Sequence, residues 1–120
     1  MSTTSPSVTL PAHAYTDQAI YERERRELFA RSWTPVCSTA QVASPGDYVS
    51  TSIAGEPVVV LRGDDGVLRA LSNVCRHRAS LLVREAGSCP RVLRCPYHGW
   101  TYDHAGQLVG VPEARGFDNL

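Results

Sequence analysis

A mainly β fold, a small antiparallel sandwich or barrel preceded by one N-terminal α-helix, is what this sequence predicts. Two observations carry the prediction. Before Trp33 the chain is rich in Glu and Arg at helical spacing, and after it short β-like runs alternate with turn residues. At 120 residues there is room for one domain with its own core, and too little for two of ordinary size.

The helix is expected from about Asp17 to Ser32, capped by Thr16, with Asp17 in the first turn and Arg31 in the last, as the helix dipole prefers. Glu22 with Arg26 and Glu27 with Arg31 stand four apart in the favourable order. Ile20, Tyr21, Leu28, Phe29 and Trp33 make a narrow apolar stripe, so this helix is expected on the surface of something larger. Beyond the helix, Pro35, Ser44-Pro45-Gly46 and Gly55 punctuate the chain, leaving strands at Asp47 to Ile53 and Glu56 to Arg62. Gly63-Asp64-Asp65-Gly66 has the residues a tight hairpin loop wants and leads into a strand from Val67 to Val74. Further strands are expected at Arg91 to Arg94, Gly99 to Tyr102 and Gln107 to Val111, the last two joined by the turn Asp103-His104-Ala105-Gly106. The expected organisation is therefore an N-terminal segment and helix over residues 1–32, a β domain over 33–111, and a connecting segment over 112–120.

Twelve basic residues, all Arg, balance twelve acidic ones, so the overall field gives no reason to expect nucleic acid or an anionic membrane as partner. Apolar runs such as Val58 to Leu61 are far shorter than the roughly 20 residues that span a bilayer. Met1 to Leu10 lack both a basic cluster and an apolar stretch and do not read as a secretory signal, so a cytoplasmic location is expected. In a reducing compartment four Cys are metal ligands or buried thiols rather than a disulfide framework.

The informative segment is Cys75-Arg76-His77, then seventeen residues, then Cys95-Pro96-Tyr97-His98. Two Cys-His couplets, each on a loop between strands, are what two fingers closing on one metal centre require. Thiolate and imidazole suit both zinc and iron-sulfur clusters, so ligand type alone leaves both open. Spacing separates them: structural zinc sites usually group Cys with Cys and His with His, two to four residues apart, whereas here each couplet mixes the types.

Cys-x-His followed by Cys-x-x-His is the Rieske pattern, with two Cys on one iron and two His on the other. Cys75-Arg76-His77-Arg78 and Cys95-Pro96-Tyr97-His98-Gly99-Trp100 resemble the cluster loops of the large (alpha) subunits of Rieske non-haem iron ring-hydroxylating oxygenases. The likeness extends through Pro45-Gly46-Asp47-Tyr48, Gly55-Glu56-Pro57-Val58 and Asn73-Val74, back into the Arg/Glu-rich helix. It implies a Rieske-type sandwich whose [2Fe-2S] cluster is held by Cys75, His77, Cys95 and His98, with the imidazoles near solvent. Implied partners are a ferredoxin or flavoprotein reductase as electron donor and the oxygenase catalytic domain of a neighbouring subunit, in a homotrimer. The mononuclear Fe(II) site of the family belongs to a larger domain beyond the Rieske domain, and no His follows His104 here. The expected function is one-electron transfer, the electron-receiving part of an oxygenase, and no catalytic residue is assigned. A stand-alone Rieske ferredoxin and a zinc-stabilised binding module are the alternatives; the helix argues against the first.

High-potential Rieske proteins, by the same resemblance, brace their loops with a disulfide and donate a Ser hydroxyl to a cluster sulfur. Ser80, Tyr97 and Trp100 occupy those positions here, so a potential in the lower part of the Rieske range is expected. Where the family commonly has Gly, this chain has Ala79; a positive φ there would strain the loop by about 1 kcal/mol. Arg76, Arg78, Arg84, Arg91 and Arg94 stand against a single nearby acid, Glu85, and read either as a basic rim steering an acidic donor or as a solvated loop face. Cys37 is expected as a small buried hydrophobe, Cys89 as a free exposed thiol, and His13 and His104 as ordinary surface residues.

Overall fold

The computed structural model describes residues 9–112. Most of the segments expected at 1–10 and 112–120 therefore lies outside the described residues. The chain divides into two units, Met1–Trp33 and Thr34–Leu120.

The first unit holds a short 3-10 turn, Ala12–Tyr15, and one α-helix, α1 (Gln18–Glu27). Asp17, not Thr16, caps α1, its carboxylate accepting the Ala19 N–H at 2.7 Å. Thr16 instead closes the preceding turn, its N–H bonded to the His13 carbonyl. The helix is also shorter than expected, because Phe29–Arg31 tightens into a 3-10 turn. That tightening removes the four-residue relation between Glu27 and Arg31. The ion pair on α1 joins Glu22 to Arg25 at 3.3 Å rather than to Arg26, with Gln18 donating to the other carboxylate oxygen at 3.1 Å. None of the residues of α1 is buried, and Tyr21, Leu28, Phe29 and Trp33 are all exposed.

The second unit is two antiparallel sheets. One has strand order β3-β2-β1-β4, from β1 (Asp47–Ile53), β2 (Glu56–Arg62), β3 (Leu68–Ser72) and β4 (Ala86–Ser88); the other has order β5-β6-β7, from β5 (Leu93–Arg94), β6 (Thr101–Tyr102) and β7 (Leu108–Gly110). β1 and β2 have the bounds the flanking turn residues predict. Ala54 and Gly55, both at positive φ, make the two-residue turn between them, which twists as paired strands require. A 3-10 turn, Thr39–Val42, precedes the sheet; its Ser38 and Gln41 form a reciprocal capping box, a signal present in the sequence but not among the elements expected from it. The Arg62 guanidinium binds the Val42 carbonyl at 2.6 Å and anchors this turn to β2.

β4 is not among the strands expected from the sequence. Its three small residues carry no alternation, and Gly87 is there because Tyr48 lies over it: a Cβ would come within 2.7 Å of the phenol oxygen. β3 stops two residues before the expected end because Asn73 leaves the ladder for other partners. Fully buried, Asn73 donates its amide N–H groups to Ser50 Oγ and the Val83 carbonyl, both at 2.8 Å, and accepts the Val83 N–H at 3.0 Å. Its backbone N–H reaches Pro57 at 2.9 Å and its carbonyl takes Leu82 N–H at 3.3 Å. This one side chain thus joins β1 to both ends of the loop that carries Cys75.

The core comprises Val59, Leu61, Leu82, Leu93, Trp100 and Tyr102 with Cys75 and Cys95, drawing on both sheets. Replacing the buried Asn73 by Ala removes three hydrogen bonds to partly buried partners and should cost about 2–4 kcal/mol, read as a fall in the urea midpoint.

Candidate metal centre

The two Cys-His segments are the same turn used twice. In the first, Cys75 N–H bonds the Ser80 carbonyl at 2.8 Å and Ala79 N–H the Cys75 carbonyl at 2.9 Å; in the second, Cys95 N–H bonds Trp100 at 2.7 Å and Gly99 N–H bonds Cys95 at 3.0 Å. Each turn puts its Cys at the closing pair and its fifth residue at positive φ, 53° at Ala79 and 73° at Gly99. The imidazole sits at the third place in one turn and the fourth in the other, which is why the couplets read Cys-x-His and Cys-x-x-His.

The thiols face inward and the imidazoles outward. Cys75 and Cys95 are 1% and 3% exposed, while His77 is half-buried and His98 exposed. The His77 and His98 rings meet edge to face with centroids 4.6 Å apart. Burial pushes the Cys95 thiol up, but the Tyr97 and His98 backbone N–H groups and the Cys75 and Ser80 side chains outweigh it and hold the group below the ordinary thiol range. Desolvation, then His98, then Arg78 lower the His77 pKa, favouring the neutral ring. All four residues singled out from the sequence therefore come together, thiol with thiol and imidazole with imidazole.

His77 stacks on Trp100, with centroids 4.9 Å apart and planes 6° from parallel, and Tyr97 lies over His98 at 3.8 Å. Among the described residues, the buried Nδ1 of His77 has no hydrogen-bond partner. A bare, buried nitrogen lone pair beside a second imidazole and two buried thiols is the donor set a mixed Cys/His iron-sulfur centre takes. The residues present fit that group.

Tyr102 was missed as a site residue. Its hydroxyl accepts the Arg76 N–H at 3.0 Å and lies 3.4 Å from Cys75 Sγ, so its own proton is left for the sulfur. Burial and then Cys75 raise the Tyr102 pKa. The available signal was its place two residues after Trp100, on the same face of β6.

Three expectations need correcting. Cys89 is not an exposed thiol: it packs against the core and donates to the Gly46 carbonyl at 3.4 Å, because Gly46, which has no Cβ, lets the two backbones touch. His104 is not a surface residue but 5% exposed, its Nε2 2.8 Å from the Cys89 carbonyl. Cys37 is half-buried rather than buried, and His13 is exposed as expected.

Ala79 holds the left-handed conformation that the sequence flagged. Ala79→Gly should therefore stabilise the fold by about 0.5–1 kcal/mol, less whatever the freer unfolded chain takes back. A thermal or urea midpoint that falls would contradict the strain.

The Rieske [2Fe-2S] domain family matches residues 32–120. The carnitine monooxygenase oxygenase subunit of Escherichia coli K12 is 42% identical over 112 residues, covering 93% of this chain and 29% of that protein. The benzene 1,2-dioxygenase alpha subunit of Pseudomonas putida is 42% identical over 104 residues, covering 86% and 23%. The structure of the quaternary ammonium Rieske monooxygenase CntA with L-carnitine superposes with a TM-score of 0.87 at 37% identity, over 93% of this chain and 32% of that one. Naphthalene 1,2-dioxygenase from Rhodococcus sp. gives 0.77 at 37% identity, over 82% and 22%. The chain spans less than a third of the length of these relatives. With its two turns, its sheet order and these likenesses taken together, the chain belongs to the Rieske [2Fe-2S] domain family and matches the N-terminal region of Rieske oxygenase alpha subunits.

Proposed function

We propose that this domain is the electron-receiving module of a Rieske oxygenase, with Cys75 and Cys95 holding one iron and His77 and His98 the other. The observation that carries the reading is the convergence of two buried thiols and two imidazoles, one with a bare buried nitrogen, on paired identical turns. When bound, the cluster supplies reversible one-electron uptake, and its neutral imidazoles raise the potential above that of an all-Cys centre. The chain's residues set the conditions. The Tyr97 and His98 backbone N–H groups lower the Cys95 pKa, the Tyr102 hydroxyl lies within hydrogen-bond reach of Cys75 Sγ, and Trp100 fixes the plane of His77.

In this reading residues 33–111 are the cluster domain, 1–32 the preceding helical segment and 112–120 the start of a connection to a catalytic domain with its own mononuclear iron. Relatives that act on carnitine and on benzene are equally similar, each 42% identical. The residues here therefore serve what those enzymes share, electron supply, and aromatic-ring hydroxylation is one of two outcomes the reading allows. Electrons come from a ferredoxin or flavoprotein reductase and pass to the catalytic domain of a neighbouring subunit, with cytoplasmic, trimeric assembly as the family leads one to expect. No helix among the described residues is long and apolar enough to cross a membrane.

Anaerobically purified protein should be coloured, contain iron, and show a paramagnetic signal after one-electron reduction. Its midpoint should fall in the lower part of the Rieske range of about −150 to +300 mV. Colourless, iron-free or zinc-loaded protein with its fold intact ends the cluster reading, and a clearly positive midpoint ends the oxygenase-type assignment.

Arg76, Arg78, Arg84, Arg91 and Arg94 are exposed, and among the described residues none of them makes an ion pair or side-chain hydrogen bond. The excess of basic charge around the turns, against the single acid Glu85, supports an acidic donor as partner. Reversing Arg76 or Arg84 to Glu should slow reduction by that protein in a salt-dependent way while leaving reduction by dithionite in the same range; an unchanged protein-donor rate removes the steering role.

A further inference from the structure

Away from the Cys-His turns, the β2–β3 loop and the β6–β7 turn bring Asp64, Asp65, Asp103 and His104 to one shallow pocket, with Arg69 and Ala105 completing its wall. We propose that Asp64 and His104 form a binding site for one divalent ion of the zinc class.

The histidine is the stronger half of the case. His104 is 5% exposed, and its Nε2 lies 2.8 Å from the Cys89 carbonyl, which accepts only, so Nε2 carries the proton. The neutral ring then presents a bare Nδ1. That atom is buried, has no hydrogen-bond partner among the described residues, and stands 3.4 Å from Asp64 Oδ1. A lone pair and a carboxylate facing each other repel unless a cation lies between them.

Two observations favour a metal ion over a proton. The contact fails as a hydrogen bond, so a proton on Nδ1 is not aimed at the carboxylate. An imidazole nitrogen and a carboxylate oxygen each about 2.1 Å from zinc, at a tetrahedral angle, lie about 3.4 Å apart. The observed separation is 3.4 Å. A metal-bound histidine commonly donates its other N–H to a backbone carbonyl, which fixes tautomer and ring orientation; the Cys89 carbonyl does that here.

The surrounding charge agrees. Three carboxylates line the pocket against one guanidinium, and that guanidinium is engaged by both oxygens of Asp65, at 2.8 and 2.6 Å. One oxygen of Asp103 is taken by the Ala105 and Gln107 N–H groups, which leaves Asp64 as the carboxylate directed at the imidazole. Among the described residues no three His, Cys, Asp or Glu side chains are placed to hold a single metal ion, so Asp64 and His104 are the protein ligands here, water completes the coordination, and binding is weak and exchangeable. The Cys89 thiol lies 3.8 Å from Nε2, on the other side of the ring, and is not a ligand.

Calorimetric titration of zinc chloride into the iron-loaded full chain tests the site. The expected result is one zinc bound without loss of cluster absorbance, at least tenfold weaker in Asp64→Asn and His104→Gln and within twofold of the parent in Cys89→Ser. Asp64 is exposed, so D64N keeps the test valid even if H104Q fails to fold. No zinc uptake overturns the proposal, as does uptake unaffected by D64N or uptake that bleaches the cluster. A titrating His104 that responds to D64N while no zinc binds also overturns it, leaving a simple ion pair. The D64N difference is decisive whether or not the Cys-His turns carry iron, so this inference and the cluster reading fail separately.

Discussion

The site depends on one backbone constraint: a six-residue turn closed by a bond from the Cys N–H to the carbonyl five residues on, with a second bond back to the Cys carbonyl from a residue at positive φ. Closing the turn at the Cys places the sulfur where the strands begin, inside the core, and leaves the middle of the turn, with its imidazole, outside. Sulfur in low dielectric and imidazole rings reaching toward solvent follow from that geometry rather than from any property of the side chains. Gly99 meets the constraint without strain, and it could not easily be larger, since a Cβ would crowd Pro112 at 3.2 Å and Arg94 at 3.3 Å.

Two turns hold a shared centre only if they are kept in register, and the contacts that do so are polar and buried. Asn73 satisfies groups on β1 and on the segment after the first turn, so the first turn cannot shift without unpairing its hydrogen bonds. Tyr102, carried by the strand that follows the second turn, reaches across to the sulfur and the backbone of the first. Trp100 does the same through its face, stacking on His77 from the other turn. The first turn is thus braced by residues belonging to the second turn's half of the unit. This bracing involves no disulfide; the Cys residues are free thiols.

Much of this was legible beforehand, and the remainder was hidden for identifiable causes. Strands β1 and β2 could be read to the residue because short β-like runs are bounded on both sides by turn residues. β4 could not, because Ala-Gly-Ser carries no pattern and becomes a strand only by adding to the edge of β1. The helix was overextended because propensity says nothing about where tertiary context tightens the last turn. Cys89 and His104 were misjudged for a linked reason: short polar-looking turns read as exposed, but Gly46 admits the Cys89 backbone, and the Cys89 carbonyl meets the buried His104 imidazole.

By itself the sequence determined the kind of chemistry, since thiol and imidazole in a fixed order and spacing are properties of the chain, and with it the family resemblance and the succession of strands other than β4. It also marked Ala79 as the place where the turn would be strained. Only the tertiary structure decided which groups meet across the chain: Tyr102 at Cys75, Trp100 at His77, and Asp64 at His104. The physical reason is that these contacts join residues 23 to 40 positions apart. Their distances are set by sheet pairing and close packing, on which local periodicity has no bearing.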